Sequence, residues 1–379
     1  MKSLLLVNQS SGYLMVDIVN AFADSGIYDK VELFAGEINI RPSVPRDSVK
    51  VIKTIKYDKS STIKRLVSWI GAFFHLLFVV WSRRKDCELF LVSNPPLTVF
   101  IPLFTRKKFS ILVYDLYPDS LVAQHFVKKD SWIARQWRKI NRKVYAKAQN
   151  VFTISDDMKR MVTQYVDENR ISVVYNWAHN EQLKPIEKSE NVFVKENGLE
   201  DKFLILYSGN MGMSHDIDVM VDVAEKLRDN HKIMFMFIGE GAKKQVIVDK
   251  IKEFKLDNCL VLPFQPKEVL PYSMGAADVA VVTTDLNQTG LSVPSKTYSY
   301  LSVGAVLLCL ADKQSELGRM MNENHVGKCF DKTEIDAMAG FIHELCYDDI
   351  LSQSYKVNSR NLSMQFTPMN AQQYVRNGN

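Results

Sequence analysis

Disulfide and zinc chemistry have little to draw on in this chain. Only five cysteines occur in 379 residues (Cys87, Cys259, Cys309, Cys329 and Cys346), odd in number, scattered, and mostly in or beside apolar runs. That pattern excludes a disulfide framework and a cysteine-based metal site, and it reads as reduced core cysteines of a cytosolic protein. Low-complexity tracts are missing, and no repeat of about 20–50 residues recurs, so solenoid architectures are set aside. A strong charge of one sign is also missing. The formal net charge of +5 is too small by itself to argue for nucleic acid. The amino end resembles no secretory leader, because the apolar run Leu4–Val7 is short and Asn8, Gln9, Ser10 and Ser11 follow it. It is expected to be a first strand.

What is present is a globular composition, 46% hydrophobic and 24% charged, over a length that suits two domains, each with its own core. Short apolar runs alternate with amphipathic stretches, the pattern of helices covering a parallel sheet. Strands are expected near 3–7, 31–34, 49–54, 88–93, 109–114, 150–153 and 172–175, with helices over 13–24, 62–83, 130–148 and 156–167. A polar stretch from Asn176 to Asp201, carrying Pro185 and many charges, reads as the interdomain linker. Beyond it, strands are expected near 203–208, 232–238, 259–262, 279–282 and 305–310. Helices are expected there near 216–229, 241–255, 267–276, 294–303, 313–323 and 333–346. The fold class is therefore α/β, two doubly wound halves, which place a ligand in the cleft at the carboxyl ends of their strands.

Three turns on those carboxyl ends carry candidate chemistry. Gly290-Leu291-Ser292-Val-Pro-Ser-Lys296 leads from the strand near 279–282 into a helix, with hydroxyl-rich residues and free backbone N–H groups suited to a phosphate or diphosphate. Lys296 adds a mobile cation there. The second turn, Ser208-Gly209-Asn210-Met211-Gly212-Met213-Ser214-His215, follows the strand 203–208, and its glycines allow a sharp turn and close approach to a ligand. Asn210 and His215 can donate to a phosphate oxygen; the plain alternative is a strand-to-helix turn capped by Ser214 or Asp216. Gly239-Glu240-Gly241 is a weaker sign of the same kind. Phe264 and Gln265, leaving the strand 259–262, can hold a flat base edge, although a core Phe is the ordinary reading.

In the first half, Asp115 ends the strand 109–114, where a carboxylate can orient an acceptor hydroxyl or stabilise developing positive charge. Asp119 reads as a turn cap and Asn94-Pro95-Pro96 as a structural rim.

These residues carry a resemblance. Gly209-Asn210-Met211-Gly212, the run Ser292 to Gly304, and Asp115-Leu-Tyr-Pro-Asp-Ser-Leu121 resemble retaining GT-B glycosyltransferases of the large family four. Among those, the chain is similar to bacterial N-acetyl-aminosugar transferases of capsule and O-antigen assembly, the N-acetylfucosaminyl type included. The resemblance implies two Rossmann-like domains facing a central cleft: residues 1–180 for the acceptor, 181–355 for the nucleotide sugar, and 356–379 returning to the first. It implies a UDP-sugar as donor substrate, retained anomeric configuration, and no metal or cofactor. Carried onto this sequence, Gly209, Asn210 and His215 lie by the donor diphosphate, and the backbone of Gly290, Leu291 and Ser292 faces the diphosphate or sugar. Lys296 and Tyr298 stand nearby, Gln265 marks the base pocket, and Asp115 stands where many relatives place a catalytic-site histidine. Asp115 and Lys296 are accordingly the expected catalytic residues.

The departures sharpen the reading. Many relatives carry two glutamates where this chain has Leu291 and Ser299. Ser299 can still bond a ribose hydroxyl, whereas Leu291 offers only its backbone. An arginine common in relatives is replaced by Asn210, which leaves Lys296 more of the charge to supply. A sugar-nucleotide epimerase of the same fold and a non-catalytic glycosyltransferase-like partner are the rival expectations, the second kept open by Leu291 and Ser299.

Two first-half segments point to a membrane. Leu66–Ser82 contains no Asp, Glu, Lys or Arg. At about 1.5 Å per residue it barely reaches across a hydrocarbon core of roughly 30 Å. It also serves as the crossover to the strand 88–93, so it is expected to lie on the sheet and offer aromatics such as Trp69 and Phe73 to a lipid interface; a fully buried helix is the alternative. Lys128–Lys147 holds many bases, Arg135, Arg138 and Arg142 among them, against one acid, Asp130. Such a face suits anionic lipid or a lipid diphosphate. The expected partners are a UDP-sugar, a lipid-linked glycan acceptor and the inner-membrane surface, not nucleic acid, for a cytoplasmic protein peripheral on the inner face of a bacterial plasma membrane.

Overall fold

The computed structural model describes residues 2–39, 42–58, 60–83, 86–123, 125–213, 215–284 and 293–376. The chain divides into two compact units. The first holds residues up to Asn176 together with those from Pro368 onward, and the second lies within Trp177–Thr367.

The first unit contains β1 (Ser3–Val7), β2 (Ser10–Ser11), β3 (Lys30–Ala35), β4 (Glu37–Ile38), β5 (Lys50–Lys53), β6 (Cys87–Val92), β7 (Phe109–Val113), β8 (Val151–Thr153) and β9 (Ile171–Val173). Seven of them form a parallel sheet in the order β5-β3-β1-β6-β7-β8-β9, while β2 and β4 make a separate ladder. In β1, Leu4, Leu5, Leu6 and Val7 are all buried. Such an unbroken apolar run is what a parallel strand covered on both faces requires. The helices are α1 (Tyr13–Asp24), α2 (Thr62–Ser82), α3 (Asp119–Ala123), α4 (Trp132–Tyr145) and α5 (Asp156–Val162). Ser61, Ser131 and Ser155 cap α2, α4 and α5 by accepting the N–H groups of Lys64, Ala134 and Met158.

Between β5 and β6, α2 is the crossover that parallel pairing demands. Among the described residues it is the helix long and apolar enough to cross a membrane. It buries one face through Ala72, Leu76, Leu77, Val79 and Val80. A terminal helix, Gln372–Arg376, completes this unit. Its Tyr374 is fully buried, edge-on to Phe152 at 5.0 Å and to Phe90 at 5.8 Å between ring centroids.

The second unit contains β10 (Phe203–Ser208), β11 (Ile233–Ile238), β12 (Cys259–Leu262), β13 (Val279–Thr283), β14 (Val306–Leu310) and β15 (Gly327–Phe330), parallel throughout in the order β12-β11-β10-β13-β14-β15. Its helices are α6 (Val192–Glu196), α7 (Val219–Lys226), α8 (Lys244–Phe254), α9 (Leu270–Gly275), α10 (Lys296–Ser302), α11 (Glu316–Asn324), α12 (Ile335–Tyr347) and α13 (Asp349–Ser363). The strand order reverses between β10 and β13, which makes their carboxyl ends the switch point where such sheets take ligands.

The expected domain limits shift. The division falls at Asn176–Trp177, because Trp177 is fully buried within the second unit. The return to the first unit begins at Pro368, later than residue 356. Helix α13 stays in the second unit, tied there by Arg360 donating to Ser302 O (2.8 Å) and by Asn180 donating to Ser363 O (2.7 Å). The polar stretch expected as a linker contains α6, capped by Asn191.

Candidate functional site

At the switch point of the second unit, two loops leave β10 and β11 with little side chain between them. A Cβ built on Gly239 falls 1.9 Å from Gly209 O, and its φ of +146° disfavours other residues, so this close crossing of backbones requires glycine. Gly209 is constrained differently. Its own Cβ would fall 2.1 Å from Lys296 Nζ, so the ammonium occupies the space where another residue would put its side chain. Lys296 begins α10, and Nζ stands 5.9 Å from the centre of the Tyr207 ring. Among the described residues the ammonium has neither an ion pair nor a hydrogen bond, and burial lowers its pKa to about 8. A desolvated cation with no acid beside it among the described residues is a place for an anion.

Tyr207 organises this edge. Its hydroxyl donates to Asn210 O at 2.7 Å and receives a hydrogen bond from Thr283 of the neighbouring β13, while burial raises its pKa to about 12 and keeps it neutral. His215 Nδ1 lies 2.9 Å from Asn210 O. A carbonyl only accepts, so Nδ1 carries the proton and Nε2 is the nitrogen left for a ligand. Tyr300 of α10 receives Ser208 N–H at 2.9 Å, which fixes α10 to the end of β10.

Gly209, Asn210, His215 and Lys296 are thus brought together around Tyr207. Other expected residues are not. Tyr298 is fully buried with its ring edge-on to Phe366 at 4.9 Å, so it packs the core and does not face a ligand. Gln265 turns its amide onto Pro263 O at 2.9 Å, and Ser299 is half-buried on α10. Gly290, Leu291, Ser292 and Ser214 lie outside the described residues. Helix α10 has only seven residues. The charge at this edge therefore comes from the Lys296 ammonium more than from a helix dipole.

In the first unit, Asp115 sits just past the end of β7. Ser93, past the end of β6, accepts the N–H groups of Tyr114 and Asp115, both at 3.0 Å, and donates to Asp115 O at 2.8 Å. Asn94 donates to Asp115 Oδ2 at 3.0 Å, so the residue read as a structural rim holds the carboxylate. Burial raises the Asp115 pKa, and the Asn94 hydrogen bond only partly opposes it. Asp119 is not a simple cap. It pairs with Arg138 at 3.0 Å and accepts the Tyr165 hydroxyl at 2.7 Å.

Around Asp115 stand groups that the sequence did not single out. Tyr57 stacks on Trp69 (6.0 Å between centroids, 26° between planes), and Tyr117 stacks on Trp137 (6.1 Å, 26°). Arg65 is close to both tyrosines: burial raises the two phenols, and at each of them Arg65 opposes that rise while Asp115 adds to it.

The expected lipid-facing residues also change. Trp69 is turned inward onto Tyr57, and Phe73 packs edge-on to Phe74 and Phe104. The outward stripe of α2 is instead Ile63, Val67, Ile70, Phe74, Phe78 and Trp81, all exposed and spaced every three or four residues. Arg138 is held by Asp119 and by Lys129 O at 2.9 Å, whereas Arg135 and Arg142 are exposed, Arg142 donating from Nε to Gln164 O at 3.4 Å.

Comparison with known proteins agrees with this geometry. Residues 188–362 match the family described as glycosyl transferases group 1. WbjE of Pseudomonas aeruginosa, which bears the name of a probable glycosyltransferase, is 27% identical over 357 residues, 90% of this chain and 87% of WbjE. WcaI of Escherichia coli K12, whose assigned name is a colanic acid biosynthesis glycosyl transferase, is 24% identical over 200 residues, 52% of this chain and 49% of its own. Among solved structures, Anabaena HepE in complex with UDP and glucose superposes with a TM-score of 0.73 over 100% of this chain and 99% of HepE, at 11% identity.

Proposed function

We propose that this chain, whose residues 188–362 match the glycosyl transferases group 1 family and which has the GT-B fold, transfers an N-acetylated sugar from a UDP-sugar to a polyprenyl-diphosphate-linked glycan in bacterial surface polysaccharide synthesis. The observation that carries the reading is Lys296, a desolvated ammonium with no acid partner among the described residues, set against Gly209 at the switch point of the second sheet. A UDP complex of HepE and the colanic acid name of WcaI support the donor and the process.

In the proposed reaction the acceptor hydroxyl attacks the anomeric carbon on the face that the diphosphate leaves, so configuration is retained. The bond from that carbon to the diphosphate oxygen breaks, UDP departs with the electron pair, and the hydroxyl proton passes to the leaving phosphate. Lys296, the amides of the Gly209 loop and His215, when its ring carries both protons and donates from Nε2, stabilise the charge that grows on UDP, with no call on a metal ion or cofactor. Asp115 orients the acceptor hydroxyl as a hydrogen-bond acceptor.

The acceptor's lipid favours work at the inner face of the plasma membrane. Two features support that location: the exposed apolar stripe of α2 and the exposed bases of α4, including Arg135 and Arg142.

The test is to incubate the purified protein with membrane lipid acceptor and a panel of UDP-sugars, following UDP release and glycolipid product. Product with one sugar supports the transferase. Isomerised UDP-sugar without acceptor replaces it with the epimerase, and binding without turnover replaces it with a non-catalytic partner.

A further inference from the structure

We propose that Arg65, Tyr57, Tyr117 and Asp115 form an acceptor subsite in the first unit for a glycosyl phosphate or diphosphate, its anion on Arg65 and a sugar hydroxyl on Asp115. The inference rests on the glycosyltransferase reading and adds the residues that would hold the phosphate of its acceptor.

Arg65 is the starting point. Its Nε is buried without a hydrogen-bond partner, and its guanidinium forms no ion pair among the described residues. One nitrogen of this guanidinium is out of water without a partner while the residue as a whole is half-buried, and a ligand anion would supply the missing acceptor. Asp115 presents the complementary problem, a half-buried residue whose carboxylate is bonded, among the described residues, by Asn94. Both charges act on the same two phenols, Tyr57 and Tyr117, yet they do not pair with each other. Two opposite charges that share neighbours without meeting fit a ligand that carries an anion and a hydroxyl donor close together. A sugar with a phosphate on its anomeric carbon has that pattern.

The surroundings fit the same ligand. Trp69 and Trp137, stacked on those tyrosines, have buried indole N–H groups without acceptors. With Arg65 they line the region with unused donors, which suits the acceptor-rich oxygens of phosphate and sugar. The aromatic planes suit the apolar faces of a sugar ring. A groove of about 880 Å³ takes in Tyr57 of the four subsite residues; its polar lining includes Glu37, Asp58, Lys64 and Ser68, and its apolar side is Ile55 with Ile63 and Val67 of α2, the last two starting that helix's exposed face. A lipid tail on the phosphate therefore has an apolar path beside the polar subsite.

Two synthetic probes test this: N-acetylglucosamine joined to a phenoxyundecyl chain through a diphosphate, and the same sugar joined to the same chain as an uncharged glycoside. Binding to the full-length protein is followed by tryptophan fluorescence. The wild type is expected to bind the charged probe at least about tenfold more tightly. Arg65→Gln should bind both probes alike, with the uncharged one unaffected, and Arg65→Lys should keep part of the preference. UDP affinity is measured on the same samples, since it reads the second unit. Unchanged UDP binding in Arg65→Gln shows a folded protein, whereas absence of UDP binding in every variant overturns the glycosyltransferase reading and leaves the probe preference to be judged by itself. Equal wild-type affinity for the two probes, or a full preference retained in Arg65→Gln, overturns the subsite.

Discussion

Both units gather their chemistry at the carboxyl ends of parallel strands, and they do so by opposite means. In the second unit the ends of β10 and β11 are stripped to backbone around Gly209 and Gly239, and one ammonium fills the space that remains. In the first unit the ends of β6 and β7 are crowded with side chains: Asn94 on Asp115, two stacked aromatic pairs, and Arg65. Backbone amides and a lone cation recognise a diphosphate whatever sugar it carries. Side chains in a particular arrangement distinguish one partner from another. On the proposed function, the contrast would allot the diphosphate common to every donor to the second unit and the choice of acceptor to the first.

The comparison can be broken most severely at its backbone-built side. Gly239→Ala adds a methyl into Gly209 O and forces an unfavourable φ, so it should lower stability by about 2–4 kcal/mol in urea denaturation. Unaltered stability would mean that the two loops do not need their close crossing.

Next comes the cation. Lys296→Ala should weaken UDP binding about a hundredfold by calorimetry, and unchanged affinity would remove Lys296 from the site. The pH dependence has a definite sign. The folded protein holds this proton with a pKa of about 8, below the ordinary 10.5, so the unfolded chain binds it more tightly. Lys296 therefore costs stability increasingly as pH falls from 10.5 to about 8, and fully below that. Lys296→Met should raise the Tm of the ligand-free protein at pH 7 and lose that advantage in strong alkali, even as it loses UDP. In the wild type, UDP affinity should fall as pH rises through about 8.

On the side-chain side, Asp115→Asn should reduce turnover about thirtyfold. Burial holds this carboxyl above the ordinary range, so wild-type kcat/KM for the acceptor should rise along an acid limb lying above about pH 4, and the variant should lack that limb. The smallest effect is at the outer surface of the first unit. Phe74→Ser with Phe78→Ser should weaken partition onto lipid vesicles about tenfold. Charge removal at Arg135 and Arg142 should weaken it only for anionic vesicles at low salt. Arg138→Gln should instead lower the Tm, because its partner is Asp119.

Much of this architecture is written in local patterns. Each of the expected strands is present, because a strand buried on both faces must be a short unbroken apolar run, as Leu4–Val7 and Val279–Val282 are. The weakly apolar β15, Gly327–Phe330, escaped that criterion. That Gly209, Asn210, His215 and Lys296 lie together was legible, because turns after neighbouring strands converge at one edge of a sheet. Tyr298 was misread for a physical reason: a residue two places from Lys296 on a helix faces elsewhere, here toward Phe366. Arg65 and Tyr57 were illegible, since they belong to a segment far from Asp115 in the chain and only the packing of α2 makes them its neighbours. Trp69 and Phe73 show the same limit. An apolar helix announces that it has two faces, and the register of the crossover decides which aromatics turn outward.

The stretch that begins at Pro368 has a consequence for synthesis. The first unit needs Tyr374 between Phe90 and Phe152, and that residue leaves the ribosome only after the entire second unit has been made. The first sheet therefore lacks one aromatic of its core until the later unit has been synthesised, so a polypeptide terminated after Thr367 leaves the first unit, and not the second, short of a core residue.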